Sequence, residues 1–216
     1  VLEEAEQGDR ALMGASKVVA TGLVQKLLLN HRDQDVRLLV AGALSLLLRL
    51  HAPECPYSDA AMQEVFGLFF WVFRRLASPP SAAHFARCLT VLHAVKDVQC
   101  CILMLDFSTE APVLDLFSVL LGCLNAGNFE QLKQPVVETL AAVLEQVDEL
   151  SIHLMDVVLG HLVQRQNHPE AHHVARELVR HTRLVIQPAI QQWLNSVVID
   201  GNAYDSELKD DYHALI

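Results

Sequence analysis

The segment SDAAMQEVFGLFFWVFRRL, residues 58–76, repeats its large apolar side chains every three or four positions: Met62, Val65, Phe66, Phe69, Phe70, Phe73 and Leu76. That spacing lines them along one stripe of an α-helix, a face that must be buried against other elements. Ser58 can accept a hydrogen bond from the helix's first free amides and so start it. The same period runs through almost every other segment, and no stretch alternates apolar and polar residues as a half-buried strand does. Further helices are predicted at about 11–29, 34–50, 82–96, 97–105, 110–126, 129–146, 151–165, 169–183 and 184–199. Asn128 followed by Gln131 resembles a capping box, Pro169 suits a first helical turn, and SPPS at 78–81 is a break. The fold class expected is all-α.

Short connections make neighbouring helices antiparallel, which leaves a closed bundle or a stack of helical hairpins. A stack should repeat itself. The segments DQDVRLLVAGAL, LKQPVVETLAAVL and EAHHVARELVRH each lead from a polar opening into a small-plus-aliphatic stripe. Val136 and Val174 are separated by close to the roughly 40–47 residues of a HEAT unit. The interval from Val36 to Val136 leaves room for longer units, with AAHFARCLTVLHAV as an intermediate second helix. Pro188, inside LVIQPAIQQWLNSVV, suits the proline kink of a HEAT first helix. The architecture expected is therefore an open, curved α-solenoid of antiparallel helical hairpins (HEAT repeats), about five of them. Residues 1–216 form one segment of it, with 1–10 as a disordered lead-in. The helix at 34–50 is apolar nearly all round, so it is expected to be sandwiched between neighbours. Asp33, Asp35 and Arg37 at its start are expected to form a semi-buried structural ladder, aspartate to arginine, tying one repeat to the next.

With 216 residues, 52% of them apolar, the chain can bury a sizeable core. Its formal charge of −10 opposes attraction to a phosphate backbone and favours partners carrying Lys or Arg. Direct contact with nucleic acid is not the first expectation. Arg176, Arg180 and Arg183, at i, i+4 and i+7, nonetheless form a basic stripe extended by His172, suited to a solvated flank, an acidic segment or a phosphate. Cys55, Cys88, Cys100, Cys101 and Cys123 form no C-x-x-C pair, which fits small core residues in a reducing compartment. The longest apolar run, Leu38 to Leu48, spans only about half of a roughly 30 Å bilayer core and reads as a buried helix. The chain opens on Val rather than Met, as an excerpt of a longer protein would.

Catalytic patterns are missing. The densest histidine cluster holds His168, His172, His173 and His181, but a metal site also needs a convergent carboxylate or thiolate. Glu170 and Glu177 share no obvious face with it, and neither H-E-x-x-H nor any His-Glu pair occurs. No G-x-S-x-G or phosphate-cradling glycine loop appears. No enzyme activity, metal or cofactor is expected.

The segment LLLNHRDQDVRLLVAGALSLLLRLHAPECPYSD, residues 27–59, resembles the N-terminal HEAT region of the precocious-dissociation-of-sisters family of cohesin regulators. The resemblance rests on His31, Asp33, Asp35, Val36, Arg37, Leu39, Val40 and Ala41, then on Arg49, Ala52, Pro53, Glu54, Pro56 and Tyr57. It continues more loosely through LFSVLLGCLNAGN, LMDVVLGHLVQ and LVIQPAIQQWLNSVV, covering about residues 16–200. Cys55 stands where the family usually has alanine in its A-P-D-A-P corner, and His51 replaces a common tyrosine.

The resemblance implies a nuclear, chromatin-associated scaffold for sister chromatid cohesion. Its corner, here Arg49, Ala52, Pro53, Glu54, Cys55, Pro56 and Tyr57, would bind a short Tyr-Ser-Arg motif of the wings-apart-like release factor and its competitors. Two prolines stiffen such a loop, Tyr57 would offer an apolar wall and Glu54 would accept from a guanidinium. The same residues without the resemblance read as one helix ending and the next beginning. Two rival readings are a generic HEAT adaptor of the transport or condensin kind, and a HEAT-type metalloenzyme using His168, His172 and His173.

Overall fold

The computed structural model describes residues 10–190 apart from residue 164. The helices expected within that range are present except the one at 97–105, and no strand occurs among the described residues. Helix α1 is Arg10–Leu23 and a single turn, α2, is Lys26–Leu29. The expected 11–29 helix breaks between them because Gln25 is extended. Next come α3 (Gln34–His51), α4 (Asp59–Arg74), α5 (Phe85–Val98), α6 (Ala111–Gly122), α7 (Phe129–Leu144), α8 (Ile152–Val163) and α9 (Pro169–His181). A 3-10 turn, Arg75–Ala77, extends α4, and a second, Cys100–Asp106, replaces the helix expected at 97–105. Gln99, left-handed at φ 55°, separates that second turn from α5. The 1–10 lead-in, Arg10 excepted, lies outside the described residues. The last expected helix is described only to residue 190, with 183–190 helical.

Packing follows chain order in two layers. Helices α1, α3, α5, α7 and α9 pack successively on one another, and α4, α6 and α8 do the same behind them. Within the first layer the helices run parallel, since Asp35 near the start of α3 meets Arg87 near the start of α5. In the second, the Ser151 hydroxyl before α8 donates to Glu110, the N-cap of α6. Each helix of one layer is antiparallel to its chain neighbour in the other, which is an α-solenoid of helical hairpins.

The α4 stripe supplies the centre of the core. Phe66, Phe69 and Phe73 are almost fully buried, with Phe66 edge-on to Phe69 at 6.3 Å and to Phe107 at 5.9 Å. Burying each such ring stabilises the fold by about 1.5–3 kcal/mol. Ser58 caps α4 by accepting from the Ala61 amide, as the sequence suggests, and Pro169 occupies the first turn of α9. Pro135 sits inside α7, where it removes one backbone donor. The Thr139 hydroxyl donates to the Pro135 carbonyl at 2.7 Å.

Asn128 corrects the capping-box expectation. It is the N-cap residue of α7, yet its side chain makes no capping bond. Fully buried, it donates instead to the carbonyls of Leu76 (2.7 Å) and Cys123 (2.8 Å) and accepts from the Asn125 amide. Asn125 in turn donates to the Ala77 carbonyl at 3.0 Å. These two asparagines join the end of α4 to the start of α7.

Candidate functional site

The proline corner is built by the end of α3 and the start of α4. The Ala52 amide still donates to Leu48, but Pro53 has no amide to continue the helix, and the Ala52–Pro53 peptide is cis. Beneath the corner, buried His51 is hydrogen-bonded to Ser16 of α1 at 2.9 Å. Pro53 and Glu54 are exposed at the tip, while Ala52, Cys55, Pro56 and Tyr57 are half-buried. Cys55 and Tyr57 pack against the core.

Burial pushes the Cys55 thiol above its usual range, even though a backbone hydrogen bond from Tyr57 opposes this, so the thiol is a poor nucleophile. Burial also pushes the Tyr57 phenol up to about 12. Its hydroxyl is shut off from solvent without a hydrogen-bond partner. Tyr57 therefore braces the corner from below more than it walls a surface, and Glu54 is the charge the corner presents.

One feature of this region escaped the sequence reading. Helix α3 is apolar nearly all round, yet it is not sandwiched on every side: Leu39 is 65% exposed. Leu39 and Leu46 of α3 face Thr90 and Val91 of α5 across a groove of about 620 Å³. Arg49 and Asp97 also line this groove, so it adjoins the corner at the C-terminal ends of both helices. The signal was the excess of leucine on α3 beyond what one buried stripe requires.

The ladder at the start of α3 takes a different form from the one expected. Asp33 caps the helix, accepting from the amides of Asp35 and Val36. Asp35 does tie one hairpin to the next, but through Arg87 at 3.0 Å, and both side chains are largely exposed. Arg37 has no carboxylate within 4 Å among the described residues and lies over the Trp71 ring at 3.8 Å. An aspartate–arginine pattern cannot announce an aromatic partner so distant in sequence.

The basic stripe is interrupted. Helix α9 ends at His181, with Thr182 at its C-cap donating to the Leu178 carbonyl, so Arg183 begins the following helical segment. Arg180 is paired with Glu177 at 3.0 Å, and Arg176 is exposed. The histidines are dispersed in their contacts: His172 donates to the Leu162 carbonyl, and His173 meets the Phe129 ring edge-on at 5.3 Å. Among the described residues no three His, Cys, Asp or Glu side chains converge on a metal-sized site. No single helix among them is long and apolar enough to cross a membrane.

Comparison with known proteins adds a common pattern. The family described as sister chromatid cohesion protein PDS5 matches residues 1–216. The PDS5 homolog A of Arabidopsis thaliana is 28% identical over 100% of this chain and 14% of its own length. The PDS5 homolog B of Homo sapiens is also 28% identical, over 92% of this chain and 14% of its own length. The chain thus spans about a seventh of these relatives. A solved chain from the Pds5–Scc1 complex is similar in fold, with a TM-score of 0.77 over 94% of this chain and 31% of that one, at 16% identity.

Proposed function

Since this chain belongs to the PDS5 family of sister chromatid cohesion proteins, we propose that it is a non-catalytic scaffold segment that regulates cohesin by docking short linear motifs. The docking site is the corner of Arg49, Ala52, Pro53, Glu54, Cys55, Pro56 and Tyr57. Its ligand is a Tyr-Ser-Arg type segment, carried by the wings-apart-like release factor and by factors that compete with it. Competition for one corner is the mechanism, and chromatin in the nucleus is the place. Residues 1–216 act as one part of a longer solenoid.

The observation that carries this reading is the division of labour within the corner. Glu54 and Pro53 stand exposed while Cys55 and Tyr57 are anchored on the core. A carboxylate held on a stiff loop accepts a guanidinium with little ordering cost. The neighbouring apolar groove, with Arg49 at its mouth, supplies a berth for the aromatic residue of the motif. Reversing the charge at Glu54 tests the assignment. A labelled Tyr-Ser-Arg peptide titrated against the chain should bind at least about tenfold more weakly to Glu54→Lys. Equal binding to both, or none to either, would remove the corner from consideration.

A further inference from the structure

At the edge opposite the corner, α3 begins and α4 ends, and two arginines share one indole. Arg37 from the first turn of α3 lies 3.8 Å from the centroid of the Trp71 ring, and Arg75, just after α4, lies 4.1 Å from it. Stacking of this kind holds a guanidinium plane in place. Neither arginine has a carboxylate within 4 Å among the described residues, although Lys26, Arg87, Lys96, Lys133 and Arg180 do. Both Nε atoms are shut off from solvent without an acceptor. Burial, and then the nearby Arg75 charge, weigh against the protonated form of Arg37. Two like charges fixed this close repel, and nothing in the described fold neutralises them. All three side chains are half-buried, so the cluster remains reachable from solvent.

The surrounding sequence sharpens the contrast. The chain carries a net −10, yet from Val65 to Ala94 it contains no acidic residue and its only formal charges are Arg74, Arg75 and Arg87. Arg87 is already engaged by Asp35. The α4 end of the cluster is therefore flanked in sequence only by positive formal charges, within an otherwise acidic molecule.

We propose that Arg37, Trp71 and Arg75 form a binding site for a phosphorylated side chain on a partner protein. Two guanidiniums held on one indole match a phosphomonoester, which carries about −1.5 to −2 charge and three acceptor oxygens, better than a carboxylate with a single charge. A nucleic-acid backbone offers one charge per phosphate and would have to approach against the chain's overall negative field. The site lies at the far end of α3 from the corner, so it is independent of the peptide reading given above.

The test uses a short phosphoserine peptide with neutral flanks, its unphosphorylated twin and a DNA duplex, each titrated against the 216-residue chain. The phosphopeptide should bind with a Kd of about 0.1 mM or tighter, and the twin at least about tenfold more weakly. Arg37→Gln and Arg75→Gln should each weaken phosphopeptide binding about tenfold, whereas Arg74→Gln should leave it unchanged. Equal binding of the twin, or DNA competing as well as the phosphopeptide, would overturn the assignment. Should the arginine variants fail to fold, Trp71 emission in a Trp193→Phe background decides: no response to phosphopeptide at about 1 mM rejects the site.

Discussion

The Asn128 amide donates to the Leu76 carbonyl at 2.7 Å, closing a contact between residues 52 apart in sequence. Leu76 lies in the 3-10 turn that follows α4, and its carbonyl would otherwise be left without a helical partner. One buried side chain thereby satisfies the end of one helix, the loop after α6 and the turn into α7.

Replacing Asn128 by Ala is expected to cost about 2–4 kcal/mol, because two buried carbonyls and one amide lose their partner together. Asn128→Asp should be at least as harmful, since it exchanges two donors for a buried charge. Urea denaturation followed by circular dichroism measures both. A loss below about 0.5 kcal/mol for the Ala variant would mean water replaces the amide without penalty.

Tyr57 should behave in the opposite way. Its hydroxyl is buried without an acceptor, so Tyr57→Phe removes a desolvated polar atom while keeping the ring against the core. Stability should be unchanged or rise by up to about 1 kcal/mol. Tyr57→Ala should lower it by about 2 kcal/mol or more through lost packing. A clearly destabilised Phe variant would reveal a hydrogen bond to the hydroxyl.

The pH dependence follows from two histidines whose protonated forms are disfavoured. For His51 the causes are burial and then the Lys17 charge, with Glu54 opposing them. For His161 they are burial and then His168. Folded-state pKa values below the unfolded value of about 6.5 mean that the unfolded chain takes up protons first. The stabilisation is fully present above about pH 6.5 and is lost as pH falls from there through the folded-state values. The melting temperature should therefore drop on acidification below that point, and less steeply in His51→Gln. A melting temperature flat down to about pH 5 would contradict this account.

Helix existence and the layered architecture were legible because α4 and its neighbours carry a strong helical period that tertiary packing reinforces. Boundaries moved where a single backbone conformation intervened, at extended Gln25 and left-handed Gln99. Long-range side-chain choices were harder to read. Asn128 looks like a local cap because local spacing cannot show a carbonyl 52 residues away. Arg37 looks like half of an ion pair because the sequence shows an aspartate beside it and not the indole it covers. Arg176, Arg180 and Arg183 look like one stripe because nothing in their spacing reveals that the helix stops at His181. At the corner, the prolines were plain, but which of Glu54 and Tyr57 faces outward depends on how α3 and α4 close over the core.

A stack whose helices pack mainly on their chain neighbours responds to tension as a spring, giving way unit by unit. The asparagine tie between the end of α4 and the turn into α7 spans more than one unit, so it would resist that peeling and make the middle of the chain rupture as a single block. Load applied along the stack would then be carried by this block after the first hairpin has yielded.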